Sequence, residues 1–417
     1  MNHQRSPYRR VRPSLLISAA AFASAAYAAA GLSLSPLSES NKSVEWWFVF
    51  KFNAATYPGD ESIEPNPGIF GGTPVKYQGG FSLSYAYASS SDDSLKMGLG
   101  CIGTSTNDPV GATFEEVYHG DCYYVLWNDQ FYNDPLPTES SPWGHSKGML
   151  AWDESGNGLV MQVSTPSWPA SGSAKHPRTT DGNTLGCVHD DNVLVSQHFF
   201  SLKLNAADVA IVLQGLANAS VVTDPNNPQI FHMGGPPNLQ ELAQKLGKRS
   251  TSKTVIKQVL STGVTFISKP SSEHVPPWQL VSAELGGVPI RAATWWAKPV
   301  IDSTTMTSSI GCWDDALGQP NGVQIALSGT WEGRTIGFEG GEGKQFNHAK
   351  IGVSMDSQLP LCIFGDLNQQ GTLNGGGGSN GCGSSQDGRG GTFYVLQDSA
   401  LFQSLTDLLK GDSDPAQ

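Results

Sequence analysis

Basic residues are scarce in this sequence, and the common metal-binding spacings are missing. The 417-residue chain has 25 Lys and Arg residues against 37 Asp and Glu residues, and its formal net charge is −12. It contains no Cys-x-x-Cys, no His-x-x-x-His and no dense group of carboxylates, the patterns through which chains usually hold metal ions. We therefore predict neither a metal nor a cofactor, and no broad basic surface for a polyanion at neutral pH.

Long apolar runs are also rare, and the prominent one lies near the start. Residues 1–30 join four arginines to the run LLISAAAFASAAYAAA, which ends in small residues. This combination is typical of a secretory signal peptide, and the run is too short for a membrane span. We predict that these residues are removed and that the rest is secreted or periplasmic, without a membrane partner. The exported chain would have 21 basic and 37 acidic residues, a net charge of −16.

Six cysteines in an exported chain favour disulfide bridges. The bridges that we prefer close two local loops: Cys101–Cys122 and Cys362–Cys382. Cys187 and Cys312 would then remain, either as a third bridge or as free thiols.

Strand and helix patterns alternate along the rest of the chain. Residues 44–52 (VEWWFVFKF) and 123–129 (YYVLWND) are rich in aromatic and β-branched residues, as strands are. Residues 205–219 and 239–247 carry apolar side chains three and four apart, and Asn205 is placed to cap the first of these helices. The alternation predicts a layered α/β architecture.

A segment rich in proline and asparagine, residues 222–229, interrupts this pattern near the middle of the chain. We place a domain boundary close to it. The predicted N-terminal half covers residues 31–235, and the predicted C-terminal half covers residues 236–417.

Each predicted half contains one His-x-Lys pair, His145 with Lys147 and His348 with Lys350. Each pair opens an apolar run, which is followed by a polar turn and a second apolar run, and this is the pattern of a hairpin. Residues two apart on a strand point to the same face, so we predict both side chains of a pair on the first strand, directed at one site. The composition would give roughly a third of one such pair by chance. Two pairs in matching hairpins therefore indicate an internal repeat.

Two His-x-Lys pairs suit the cleavage of a phosphodiester without a metal. One histidine can attack phosphorus while the other protonates the leaving oxygen, and two lysines can neutralise the non-bridging oxygens. A pseudo-dyad between the halves would bring all four groups to one centre. The remaining histidines lack a lysine at this spacing, and we interpret them as surface or packing residues: His119, His176, His189, His198, His232 and His274.

The double motif resembles that of the phospholipase D superfamily, and further segments narrow the resemblance to the deoxyribonuclease II family. They occur in the family's order and cover most of residues 40–395. The segments are VEWWFVFK at 44–51, LWNDQ at 126–130, GHSKGML at 144–150, TLGCV at 184–188, NHAKIGVS at 347–354, FGDLN at 364–368 and GRGGT at 388–392. The resemblance implies an α/β fold of two phospholipase D-like sandwich halves, packed as a pseudo-dimer within one chain.

The resemblance also implies an activity, which is metal-independent hydrolysis of double-stranded DNA at acid pH. The reaction would pass through a phosphohistidine and leave 3′-phosphate ends, in the lysosome if the source is an animal. Carried over by motif, the catalytic residues are His145, Lys147, His348 and Lys350. Asp366 and Asn368 of GDLN would contact phosphate or orient a histidine, and Ser164 stands at the corresponding place in the first half.

The glycine-rich stretch 374–391 has two interpretations. It could close over DNA and place Arg389 on a phosphate, or it could be a surface loop held by Cys362–Cys382. Other functions also stay open. A phospholipase D-type phosphodiesterase acting on phospholipid would use the same residues, and an exported DNA-binding protein would need no catalysis. The sequence does not decide which histidine attacks, or between a monomer and a homodimer.

Overall fold

A computed structural model describes most of the chain that follows the predicted signal peptide. The described residues are 34–59, 84–98, 102–103, 106–131, 140–166, 172–177, 194–296, 300–375 and 381–416. The predicted signal peptide, Cys101 and Cys187 lie outside them.

The described residues form strands and helices, numbered here in chain order. The strands are β1 Trp46–Lys51, β2 Tyr85–Ser89, β3 Asp92–Met97, β4 Tyr123–Asn128, β5 Lys147–Trp152, β6 Gly158–Val163, β7 Gly172–Ser173, β8 His176–Pro177, β9 Gln197–Leu204, β10 Phe231–His232, β11 Ile256–Val259, β12 Thr265–Lys269, β13 Ile290–Ala293, β14 Val323–Ile325, β15 Ser328–Trp331, β16 Arg334–Gly337, β17 Ile351–Ser354, β18 Leu361–Gly365 and β19 Gly391–Gln397. The helices are α1 Pro109–Tyr118, α2 Ala206–Asn218, α3 Pro237–Ala243, α4 Pro277–Glu284 and α5 Ser399–Leu408, and a 3₁₀ turn covers Ser385–Gly388.

Two large sheets organise these elements. The first has the order β10-β4-β5-β6-β9-β1-β2-β3, and the second has the order β11-β12-β19-β18-β17-β13-β14. Large sheets with a few helices packed on them form a mixed α/β fold, which confirms the predicted fold class at that level.

An aromatic layer joins the two sheets. Because successive side chains of a strand point to opposite faces, Phe48 and Phe50 of β1 enter this layer, whereas Trp47 packs on the α1 side. Phe48 and Phe200 from the first sheet stack on Phe364 of the second, with ring centroids 4.7 and 4.5 Å apart. Full burial of each such ring contributes roughly 1.5–3 kcal/mol. Helices α2 and α5 pack into the same layer, and α4 covers the far side of the second sheet.

The second sheet repeats the order of five central strands of the first. These strands are β4-β5-β6-β9-β1 in one sheet and β13-β17-β18-β19-β12 in the other. In each sheet the fourth of these strands leads directly into a capped helix, α2 behind Asn205 and α5 behind Asp398. The capping box at Asn205 explains why the sequence indicated α2 so closely.

A buried lysine ends the corresponding outer strand of each five-stranded set. Lys51 closes β1 and donates to the carbonyl of Val195, at 2.9 Å. Lys269 closes β12 and donates to the carbonyl of Arg389, at 3.0 Å. Both acceptors lie two residues before the neighbouring strand, β9 or β19. The two sets therefore share details of side-chain contact as well as strand order.

The two predicted hairpins are present, with one correction. Strand β5 pairs antiparallel with β6, and β17 pairs antiparallel with β18. However, His145 and His348 precede their strands, and Lys350 also lies just before β17. The prediction that both residues of each pair lie on the first strand is therefore wrong. The N–H groups of the two histidines donate to Gly390 and Ser196 rather than to the neighbouring strand of the hairpin.

The predicted disulfides are wrong. Cys382 bridges to Cys312, not to Cys362, and Cys122 is a free thiol rather than a partner of Cys101. Cys122 and Cys362 are both buried, and burial raises the pKa of the Cys122 thiol to about 12. Proximity in sequence misled the prediction, because Cys362 lies within β18 and packs into the core.

Replacing Cys312 or Cys382 with serine should lower the free energy of unfolding by about 2–4 kcal/mol, because the bridge restricts the unfolded chain over a long loop. The two cysteines are separated by 70 residues. Urea denaturation without reductant measures the loss. Peptide mapping of the unreduced protein should recover Cys312 joined to Cys382, and a fragment joining Cys362 to Cys382 would contradict the structure.

Candidate active site

The two His-x-Lys pairs meet where the ends of the two sheets face each other. His145 and Lys147 lie at the start of β5, and His348 and Lys350 lie just before β17. Lys147 and Lys350 are 2% and 1% exposed, so their charges lie in a medium that screens them poorly. His348 is half-buried, and so it is the more accessible of the two imidazoles.

Each imidazole is bonded by the opposite hairpin. The Nδ1 atom of His145 lies 2.8 Å from the main-chain oxygen of Asp366, which follows β18. The Nδ1 atom of His348 lies 2.7 Å from the main-chain oxygen of Ser164, which follows β6. We call these two contacts the crossed pair. They join hairpins that are about two hundred residues apart in the sequence.

The crossed pair fixes the tautomer of both histidines. A carbonyl oxygen can only accept, so Nδ1 must carry the proton and donate it. The lone pair of each neutral imidazole is then on Nε2. The Nζ atom of Lys350 also lies 3.2 Å from Nδ1 of His348, but its acceptor is the main-chain oxygen of His348 at 2.8 Å. The Nε2 atom of each neutral ring is therefore unprotonated.

The backbone of each histidine is held in the same crossed fashion. The N–H group of His145 donates to the carbonyl of Gly390, and the N–H group of His348 donates to the carbonyl of Ser196, both at 2.8 Å. Gly390 and Ser196 immediately precede β19 and β9. Each histidine thus has two bonds to the opposite part of the chain, which limits both its position and its ring orientation.

A buried carboxylate links Lys147 to Arg389. Asp129 forms an ion pair with Lys147 and a second one with Arg389, whose Nη2 atom is 2.6 Å from Asp129 Oδ2. Arg389 also donates to the carbonyls of Trp143 and Gly144, at 3.0 and 2.8 Å. Its guanidinium therefore holds the segment that leads into His145. The contact of Arg389 with substrate remains a prediction.

The second lysine has different surroundings. In the first sheet, Asp129 follows β4 and pairs with Lys147. In the second sheet, Trp295 lies shortly after the corresponding strand, β13, and its ring centroid is 6.0 Å from that of His348. Among the described residues, no carboxylate is hydrogen-bonded to Lys350. Burial, reinforced by Lys147, lowers the pKa of Lys350 well below its ordinary value, which breaks the symmetry between the two pairs.

Asp366 and Ser164 hold corresponding places beside the crossed pair. Asp366 Oδ2 accepts from the N–H and hydroxyl groups of Thr392, at 2.8 and 2.7 Å. Ser164 Oγ accepts from the N–H of His198, at 2.8 Å. Both side chains support the loop whose carbonyl binds a histidine. Asn368, two residues after Asp366, is also buried, and its Oδ1 atom has no hydrogen-bond partner among the described residues. Contacts of these three residues with phosphate remain predictions.

His198 is a residue of this site that the sequence interpretation passed over as packing. It is fully buried on β9, and its Nδ1 atom accepts from the N–H of Lys350 at 3.1 Å. The ring is therefore neutral and protonated on Nε2. The sequence did contain a signal for His198. Alternation along the strand places its polar ring on the same face as the apolar Phe200 and Leu202. Asp129 was likewise within a quoted motif, but its two cationic partners come from distant segments.

Burial and nearby cations set the protonation of the site. Burial, reinforced by Lys147, lowers the pKa of His145 well below its ordinary value. Burial and Lys350 do the same to the pKa of His348. Burial tends to raise the pKa of Asp129, but Lys147 and Arg389 outweigh it and hold that pKa below the usual range. Burial raises the pKa of Asp366 to about 6.

Within the described residues, no group of three or more His, Cys, Asp or Glu side chains is arranged to hold a metal ion. None of the helices in this part of the chain has the length and apolar character needed to cross a membrane.

Comparison with known proteins identifies the family. The family model of Deoxyribonuclease II matches residues 35–404, so the chain belongs to the deoxyribonuclease II family, as its motifs predicted. The chain is 24% identical over 372 residues to Cell-death-related nuclease 7 of Caenorhabditis elegans, which covers 87% of this chain and 83% of that protein. It is 30% identical over 163 residues to Deoxyribonuclease-2-alpha of Rattus norvegicus. That second match covers 37% of this chain and spans 41% of the rat protein.

Replacing Asp129 with asparagine should destabilise the fold by about 3–5 kcal/mol, because Lys147 and Arg389 would remain as buried cations without a counter-charge. Asp121→Asn is the matched control, since Asp121 pairs with Lys175 at the surface and exposed ion pairs contribute little. Urea denaturation at pH 7 compares the two variants. Equal midpoints would mean that the charge of Asp129 is not required.

The lowered histidine pKa values predict a loss of stability in acid. The unfolded chain takes up these protons below about pH 6.5, so each contribution is present above that pH and is lost below it. The loss is up to about 1.4 kcal/mol per pH unit for each histidine. The pKa of buried His198 is also well below its ordinary value, first through burial and then through Lys350.

His198→Gln should therefore lose less stability than the wild type between pH 7 and pH 5, as measured by urea denaturation. Glutamine keeps an acceptor for the N–H of Lys350 but does not titrate. His119, which pairs with Glu115 at the surface, provides the control: His119→Gln should keep the wild-type difference. Identical differences in all three proteins would show that burial of His198 has no such effect.

Proposed function

We propose that this chain is an endonuclease that hydrolyses double-stranded DNA at acid pH, without a metal, leaving 3′-phosphate ends. The observation that carries the proposal is the crossed pair, which leaves an unprotonated Nε2 atom on each of two histidines beside two buried lysines. Membership of the deoxyribonuclease II family and the names of the relatives support DNA as the substrate.

The proposed reaction has two steps with a phosphohistidine between them. Nε2 of one histidine attacks phosphorus, the bond from phosphorus to the 5′ oxygen breaks, and the second histidine donates a proton to that oxygen. The second histidine then takes a proton from water, which attacks phosphorus and breaks the bond to nitrogen. The products are a 5′ hydroxyl and a 3′ phosphate, and both histidines regain their initial state.

The lysines would stabilise the negative charge that develops on the phosphate oxygens. Lys350 lacks the carboxylate partner that Lys147 has in Asp129, and burial with Lys147 lowers its pKa well below the ordinary value. A bound phosphate would supply the missing counter-charge and favour the charged form of Lys350. The bound phosphate would also raise the pKa of a nearby histidine, opposing the effect of burial. Acid pH then favours the state in which one imidazole is neutral and the other is charged.

We also propose that the two sheets represent two phospholipase D-like halves related by a pseudo-dyad, with the boundary near residue 235. The matching strand order, the buried lysines of β1 and β12 and the crossed pair support this relation. Export, proposed from residues 1–30, and a homodimer stay predictions from the sequence. A phospholipase D-type activity on phospholipid is the competing function, since it would use the same four residues.

Purified protein should nick and linearise plasmid DNA at pH 5 in the presence of EDTA, because lysines supply the positive charge that a metal would otherwise provide. The ends should accept radiolabel from a 5′ kinase without prior phosphatase treatment, as 5′ hydroxyl groups do. Phosphatidylcholine vesicles tested in parallel should stay intact. Loss of cleavage on chelation, with recovery on adding magnesium, would exclude the mechanism.

His145→Ala and His348→Ala should each abolish cleavage, because each histidine supplies a group that the other cannot replace. Their melting temperatures should show that both variants fold, and His119→Ala should retain wild-type activity. In the wild type, kcat at saturating DNA should fall above roughly pH 6 to 7 as the acid loses its proton. A kcat that is flat from pH 5 to pH 8 would rule out histidine acid–base chemistry.

A further inference from the structure

The positive charge that this acidic chain does have is concentrated in one short segment. Five of the 21 basic residues that follow residue 30 lie within residues 245–257, and residues 242–272 contain no Asp or Glu. Helix α3 ends just before this segment, and β11 lies at its end. The proposed reaction uses none of these residues.

Three members of the segment lie together at the surface. Lys245, Lys248 and Arg249 are exposed and line one open depression of about 320 Å³. We call them the basic trio. None of them pairs with a carboxylate in the described part of the chain, unlike the surface lysines Lys96 and Lys175, which do. The trio therefore keeps three uncompensated charges in a protein of opposite overall sign.

The basic trio is attached to the segment that leads into the candidate active site. The guanidinium carbon of Arg249 lies over the Trp143 ring, 5.9 Å from its centroid. The next residue, Ser250, donates from its N–H to Ser220 Oγ at 2.9 Å. Gly144 donates from its N–H to the carbonyl of the same Ser220, also at 2.9 Å. Trp143 and Gly144 directly precede His145, so two residues that line the depression, Arg249 and Ser250, are linked to the segment that leads into the site.

We propose that the basic trio binds phosphates of the DNA strand that flank the phosphate being cleaved. The inference rests on the proposed function, because it takes DNA as the substrate. Three separate cations in an open depression suit a ligand with several spaced phosphates, each of which would release a counterion on binding. Six of the eight residues that line the depression are polar, including Gln214 and Asn218, and the two apolar ones are Ala217 and the half-buried Ile256. The lining contains no aromatic side chain of the kind that anchors proteins in a lipid layer.

Binding can be separated from cleavage by working in a His348→Ala background. We would compare Lys245→Gln/Lys248→Gln/Arg249→Gln with a control that removes the same charge elsewhere, Lys42→Gln/Lys175→Gln/Lys410→Gln. Fluorescence anisotropy with a labelled 20-base-pair duplex would be measured over a series of salt concentrations. Because all six positions are exposed, equal melting temperatures should show that both triple variants fold.

The trio variant should bind the duplex on the order of tenfold more weakly, and the slope of log Kd against log salt should fall by about 2–3, near 0.9 for each lost phosphate contact. The control should stay close to the parent. Equal losses in both variants would reduce the effect to overall charge and overturn the inference. Loss of binding to phosphatidylserine vesicles with unchanged DNA binding would overturn it in favour of a membrane surface.

The same measurements keep this inference distinct from the proposed function. If the trio proves necessary for duplex binding but the wild-type protein does not cut plasmid DNA, the binding site stands and the nuclease proposal fails. If the wild type cuts DNA and the trio variant binds as the parent does, the nuclease proposal stands and the binding site fails.

Discussion

The two hydrogen bonds from histidine Nδ1 atoms to carbonyls of the opposite hairpin are the constraint on which the rest of the site depends. They require the ends of β6 and β18 to face the starts of β17 and β5, which fixes how the two sheets can pack. The aromatic layer behind them belongs to a hydrophobic cluster with members from both sheets. A carbonyl acceptor also avoids a second charge next to the imidazole, so the ring can stay neutral without a compensating carboxylate.

Electrostatic balance within the site is the second constraint. Lys147, Lys350 and Arg389 are all buried, and Asp129 directly neutralises only Lys147 and Arg389 among them. Burying cations is costly unless they are paired, and the lowered pKa of Lys350 reflects that cost. A bound anion would favour the charged form of this lysine, so anion binding and its protonation are coupled. This attraction is local, which is consistent with an otherwise acidic chain.

The sequence predicted what short-range patterns determine. The hairpins at β5–β6 and β17–β18, the capped helix α2 and the aromatic strand β1 all follow from periodicity and local capping. The prediction from sequence failed where a residue's role depends on neighbours that only the tertiary fold supplies. Cys382 pairs with Cys312 because the fold brings the two together in space. The short distance in sequence between Cys362 and Cys382 does not reveal this pairing. Asp129 and His198 could not be assigned because their partners, Arg389 and Lys350, become neighbours only after the sheets dock.

The crossed contacts also determine when the site can form. During synthesis, the part of the chain with His145 and Lys147 emerges long before Gly390 and Asp366, which position that histidine. A partly made chain therefore has no aligned pair of imidazoles. The arrangement arises only once both distant segments have been made and have folded together, so completion of the site is tied to completion of the chain.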